Sequence, residues 1–236
     1  MNFVGLTFLG LLSYPLITLL WPEPHAFRWW WRMGGRGVAP RELIDHRKRS
    51  RGNVLVVKFA AIIGTCVVLL RQGRVASQEL GFRIPGWYDA IAFGLAAGAI
   101  LIWWTRGMNR VASQMKVSQA KPNDLLREPS FKILLIILLG GFAEELWRAM
   151  SLILFHKAGI SDVSAVLVTS LIFGIGHVFS YKSVGAAVGR SLPPAIAGIL
   201  LAALFLIYQT LLVPFVAHVM LNLYGTALGR KRLASS

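Results

Sequence analysis

Glu144 and Glu145 stand side by side in this chain, and Arg148 follows them by four and three residues. All three lie inside an apolar run, after an uncharged stretch from Ile133 to Ala143. Each ionised group at a bilayer centre costs about 2.5–3.5 kcal/mol even on lenient insertion scales, so three together require a reason. The spacing lets either carboxylate meet the guanidinium on one helix face. Further on, "FGIGHVF" places Phe173 and His177 four apart, and "PFVAHVMLN" places His218 and Asn222 four apart, after Pro214. Three helices therefore each carry polar groups on one face. Two carboxylates, a guanidinium, two imidazoles and an amide suit chemistry on water. A carboxylate would serve as general base, an imidazole would share or relay the proton, and the donors would meet a developing oxyanion. Taken singly, a Glu–Arg pair is also structural glue or a transport element, and a membrane histidine is also a packing hydrogen bonder. The conjunction on three helices favours a site.

The elements that must position these residues are legible as apolar runs near the length of a bilayer crossing. Seven recur, at about 3–21, 53–70, 88–104, 131–155, 162–179, 192–208 and 211–228, the last two divided only by Gln209 and Thr210. The first run is too long for a signal-peptide core and lacks a small-residue cleavage site, so it reads as a retained helix. With 56% apolar and 15% charged residues in 236, and a mean hydropathy of +0.61, the chain has too little polar surface to cover a soluble globule. The same numbers exclude disorder. The single cysteine, Cys66, makes no internal disulfide and no Cys-rich metal site.

A net charge of +15 raises nucleic acid as a partner, but the basic residues have another address. If the seven helices alternate, eighteen Lys and Arg fall in segments on one side and four on the other. That asymmetry places the N-terminus outside and the C-terminus in the cytoplasm. The cluster at 27–32, where Trp29, Trp30 and Trp31 stand between Arg28 and Arg32, reads as an interfacial belt beside anionic headgroups. The expected fold is all-α: a polytopic bundle of about seven transmembrane helices, multi-pass in a cell membrane of the bacterial inner-membrane type, with no nucleic-acid partner. Residues 1–130 supply N-terminal helices and two basic cytoplasmic loops, 131–228 the core that carries the polar residues, and 229–236 a basic tail. Gly94 and Gly98 form a GxxxG pair, a weak helix-packing signal.

At these residues the chain resembles the CPBP family of intramembrane proteases, also called the Abi family. It includes CAAX prenyl endopeptidases and bacteriocin-processing or immunity proteins. The family shares Glu-Glu-x-x-x-Arg, Phe-x-x-x-His and His-x-x-x-Asn motifs on separate transmembrane helices. The second is intact at Phe173 and His177, the third at His218 and Asn222, and "ELGFR" at Glu79 to Arg83 looks like the Leu-Gly pair often seen upstream. The first motif departs from the pattern, with two residues instead of three before Arg148. Either the arginine has slipped by one and Glu144 is the family's base, or Ala143 occupies that position and the base is missing. Retention of the paired carboxylates favours the first.

The resemblance then implies roles. Glu144 would activate water with help from His177. His218 and Asn222 would stabilise the tetrahedral oxyanion. Arg148 would pair with Glu145, and Phe173 and Arg148 would support the site. The expected substrate is a membrane-associated peptide or protein, with a prenylated CAAX tail as one precedent. No cofactor is favoured, although Glu144, His177 and His218 offer the two imidazoles and one carboxylate of a zinc site. The alternatives are a non-catalytic adaptor or bacteriocin-immunity-type protein on the same helices, and, last, a small transporter, which would need an inverted repeat not evident here.

Overall fold

The computed structural model describes residues 59–82, 86–114, 124–178 and 184–234, with the backbone alone at 109, 111–114, 124, 125, 177, 178 and 184–191. The expected first span, the tryptophan cluster at 27–32 and the start of the second span lie outside the described residues. Among the described residues every regular element is helical. In chain order these are α1 (Phe59–Arg71), α2 (Trp87–Gln114), a 3-10 turn (Asp124–Arg127), α3 (Ser130–Lys157), α4 (Asp162–Val178), α5 (Val184–Tyr208) and α6 (Leu212–Ala234).

Local chemistry sets the helix ends near the polar residues. Pro129, which has no N–H to lose and a fixed φ, stands at the start of α3. At the other end Gly159 takes a φ of +78°, its N–H bonding to the His156 carbonyl while that of Ile160 reaches Phe155. This is the Schellman closure that a left-handed residue permits. Between α5 and α6 the chain breaks at Gln209, with a φ of 51°, and the Thr210 hydroxyl accepts the Leu212 N–H at 3.3 Å. Pro214 sits in the first turn of α6, where a missing N–H leaves no gap in the helix ladder. The division at residues 209 and 210 is thus a true turn between two helices.

Successive helices run up and down the bundle. Gly94 of α2 lies against Val213 and Val216 of α6, and Gly98 against Ala217 and Met220, so α2 and α6 run parallel. A Cβ on Gly94 would come within 2.9 Å of the Val213 carbonyl, a backbone atom that cannot step aside. The GxxxG pair is therefore the seam between these helices. α3 runs opposite to α6: Arg230, in the last turns of α6, donates to the Leu126 and Glu128 carbonyls and to the Ser130 hydroxyl. At the far end Lys157 closes α3 against the turn that follows α1. Arg106, Arg127, Lys132, Arg230, Lys231 and Arg232 thus fall toward one end, and Arg71, Arg74 and Lys157 toward the other, accompanied by Glu79, Asp89 and Asp162.

The main core joins Ile62 and Leu69 of α1, Leu80, Trp147 and Met150 of α3, Ala165 and Phe173 of α4, and Phe205 of α5. Outward faces are apolar too. Trp103 is 75% exposed, Val163 70% and Ile207 71%. Helices apolar on both faces suit a surround of lipid. Two helices, Trp87–Met108 within α2 and Leu212–Ala234, are long and apolar enough to cross a membrane, and Phe59–Arg71, Asp162–Gly176 and Leu192–Tyr208 are shorter apolar helices.

Candidate active site

The second half of α3 supplies the site because it is the buried half. From Glu145 to Leu152 every residue is buried, whereas the first half alternates with solvent- or lipid-facing positions. One turn of this segment carries three formal charges. Arg148 forms an ion pair with Glu145 three residues earlier, and both side chains are fully enclosed. Glu144 points to the side and is the more accessible carboxylate, with 15% of its side chain exposed against 1% for Glu145.

His218 arrives from α6. It sits seven residues beyond Leu211, where α6 crosses α3, and the Phe142 and Phe215 rings pack edge to face at the same crossing. Its Nδ1 lies 2.6 Å from Glu145 Oε1, a short charge-assisted hydrogen bond, and its Nε2 faces Glu144 Oε2 at 3.5 Å. The imidazole therefore lies between the two carboxylates. From α4, Phe173 lays its ring over the Arg148 guanidinium at 4.6 Å and meets His218 edge-on at 6.0 Å. A cation over a desolvated ring is held by the ring's quadrupole. Glu144, Glu145, Arg148, Phe173 and His218 thus come together from three helices.

One expected residue, Asn222, is not brought into this network, and the side chain of another, His177, lies outside the described residues. Of His177 the backbone alone is described, one turn beyond Phe173 on α4. Asn222 is half-buried one turn beyond His218. Sequence reasoning missed Ser170, whose buried hydroxyl has no hydrogen-bond partner among the described residues. Its signal was available: Ser170 is three before Phe173, hence on the same face of a helix that is otherwise mostly apolar. Nε and Nη2 of Arg148 are likewise without a hydrogen-bond partner among the described residues.

The arrangement has a definite charge logic. Two carboxylates and one guanidinium leave one negative charge in a water-poor site. Neutrality is reached when one proton is held between Glu144 and His218. With Nδ1–H committed to Glu145, Nε2 is an acceptor in the neutral imidazole and a donor only in the imidazolium. One transferable proton between a carboxylate and an imidazole is a general acid–base device.

For zinc, Glu144 Oε2 and His218 Nε2 at 3.5 Å have the spacing of neighbouring tetrahedral ligands with bonds of about 2 Å. Among the described residues, however, no three His, Cys, Asp or Glu side chains are grouped to hold a metal ion. The third donor of that set, the His177 imidazole, lies outside the described residues.

The chain matches neither a curated protein nor a solved structure. Residues 127–224, the stretch that carries Glu144, Glu145, Arg148, Phe173, His177, His218 and Asn222, match the family model of the type II CAAX prenyl endopeptidases, Rce1-like, and that segment is similar to this protease family.

Proposed function

We propose that this protein is an intramembrane endopeptidase that hydrolyses a peptide bond of a membrane-associated protein or peptide, with Glu144 as the general base on water. The observation that carries this reading is the placement of His218, bonded through Nδ1 to Glu145 and facing Glu144 through Nε2. The family supplies the reaction class: its members are CAAX-type proteases.

In the proposed reaction Glu144 takes a proton from water, and the hydroxide adds to the scissile carbonyl carbon. The carbonyl oxygen becomes an oxyanion, which accepts a hydrogen bond from His218 Nε2–H. That donor exists only in the imidazolium, which Glu145 stabilises through Nδ1–H. Asn222, one turn away on the same helix, would add its amide N–H, and His177 would assist Glu144, as the family motif implies. As the C–N bond breaks, the proton on Glu144 passes to the leaving amine. Arg148 keeps Glu145 ionised and fixed, and Phe173 covers the guanidinium. Metal-free hydrolysis is part of this proposal. So is the topology: seven spans, the N-terminus outside, and the basic end of the bundle in the cytoplasm.

The decisive experiment is cleavage of a prenylated CAAX reporter and a peptide library by purified protein in detergent. Glu144→Gln should lower kcat by about 10²–10⁴-fold, the usual worth of a positioned general base. Wild-type activity in that variant would overturn the assignment. Retention of the cellular phenotype in both Glu144→Gln and His218→Ala would favour the non-catalytic adaptor.

A further inference from the structure

The turn between α1 and α2 contains the "ELG" triplet, and three observations give it work beyond linking helices. Leu80 is fully buried in the main core. Glu79 Oε2 accepts the Ala76 N–H at 2.7 Å and the Lys157 ammonium at 2.9 Å, and Lys157 also donates to the Arg74 carbonyl at 2.7 Å. Lys157 is the last residue of α3. Gly81, with a φ of +76°, offers its carbonyl to the Leu211 N–H and to the Thr210 hydroxyl, both at 3.3 Å. These two residues lead into α6. A Cβ at position 81 would lie 2.6 Å from the Leu211 nitrogen and 2.7 Å from the Thr210 Cα, so both the backbone angle and the close approach require glycine.

The turn therefore grips the end of α3 and the start of α6 together. Those are the two helices whose Glu145 and His218 share a 2.6 Å hydrogen bond. His218 follows Leu211 by seven residues of helix, about 10 Å along the axis, so a displacement at Gly81 is carried to the imidazole by rigid backbone. At the opposite end Arg230 already fastens α6 to the start of α3, which leaves the Gly81 end to set how far the helices slide or splay at the site.

We propose that Gly81 and Lys157 are positioning residues for the hydrolytic reaction, acting through this turn to set the Glu145–His218 pairing. The consequence for rate rests on the endopeptidase reading above; the consequence for the hydrogen bond does not. Two readouts on full-length protein in detergent separate them. The first is kinetics on a cleavable reporter peptide. The second is the downfield Nδ1–H resonance of His218 in histidine-labelled protein, assigned by its loss in His218→Gln.

Gly81→Ala, folded by circular dichroism, should lose or shift that resonance and lower kcat by about 10²-fold, as a misplacement near 1 Å does, with KM unchanged. Lys157→Met should weaken both readouts, and Lys157→Arg should restore them. An unmoved resonance in folded Gly81→Ala, or wild-type kcat there, overturns the proposal. If Gly81→Ala does not fold, an unmoved resonance in Lys157→Met overturns it instead. If the wild-type protein cleaves nothing, the endopeptidase reading falls and the resonance alone decides whether the turn sets the pairing.

Discussion

Glu145 and His218 meet at 2.6 Å across the α3–α6 crossing, although 73 residues separate them in the chain. This contact gives the two glutamates different work. Glu145 is enclosed, neutralised by Arg148 and committed to an imidazole nitrogen. Glu144 keeps some accessibility and faces the other nitrogen of the same ring.

Replacing each glutamate should therefore fail in a different way. Glu144→Gln should keep the fold and lose turnover. Glu145→Gln leaves Arg148 buried opposite a neutral amide, and breaking a buried pair from one side costs about 3–5 kcal/mol. Chemical unfolding in detergent should show that loss for Glu145→Gln alone. Equal stabilities for the two variants would contradict the division of roles.

Phe173 should matter to stability as well as to the family motif. Phe173→Leu keeps an apolar side chain but removes the ring from the guanidinium, a loss of about 2 kcal/mol for a desolvated cation–π contact. The same substitution in an Arg148→Met background should cost less. A double-mutant cycle measures the difference, and a coupling energy of zero would remove the contact from the account.

Along the α2–α6 seam the two glycines should not be equivalent. A methyl at Gly94 meets the Val213 carbonyl, whereas at Gly98 its nearest neighbour is the flexible Met220 side chain at 2.7 Å. Gly94→Ala should lower the thermal midpoint more than Gly98→Ala. The reverse order would show that Met220 is the less yielding neighbour.

Acid should weaken the turn after α1. The Ala76 N–H, followed by the Lys157 ammonium, holds the Glu79 carboxyl below its usual range. A depressed carboxylate contributes its stabilisation above the unfolded-state value, and loses it as pH falls through the lower folded value. The gap in thermal midpoint between wild type and Glu79→Gln should be full near neutrality, begin to close below about pH 4.3 and vanish in stronger acid. The group is partly exposed, so the gap should be small and shrink with salt. A gap that persists in strong acid would assign it to packing.

Metal content is the last test. Purified active protein should hold no stoichiometric zinc and should keep its turnover in a chelator. One zinc per chain, with activity lost on chelation and restored by the metal, would replace the metal-free route by one in which Glu144 and His218 are ligands.

Much of this was legible in the sequence because charge in an apolar run is costly. Glu144, Glu145 and Arg148 marked their helix at once, and four-residue spacing identified faces on α4 and α6. The spacing allowed either carboxylate to pair with Arg148, the resemblance assigned Glu145, and the structure forms that pair. Convergence did not follow, because helical periodicity orients a side chain about its own axis and says nothing about which helix lies opposite. The resemblance gave His218 an oxyanion role, and its bond to Glu145 emerged only from the crossing of α3 and α6. Gly81 and the GxxxG pair were visible as residues, but their partners lie far along the chain. Of the seven expected spans, the described residues give two that pass by length and composition, and shorter apolar helices at three more.

The 73-residue separation between Glu145 and His218 also constrains how the protein is made. Synthesis makes α3 before α6 exists, so its two carboxylates and guanidinium must wait without their imidazole. At about 2.5–3.5 kcal/mol per charge, such a helix is a poor candidate to partition into lipid alone. On the proposed topology its stable insertion is tied to the arrival of the later helices, and the cluster of Glu144, Glu145, Arg148 and His218 is completed only when α6 is in place.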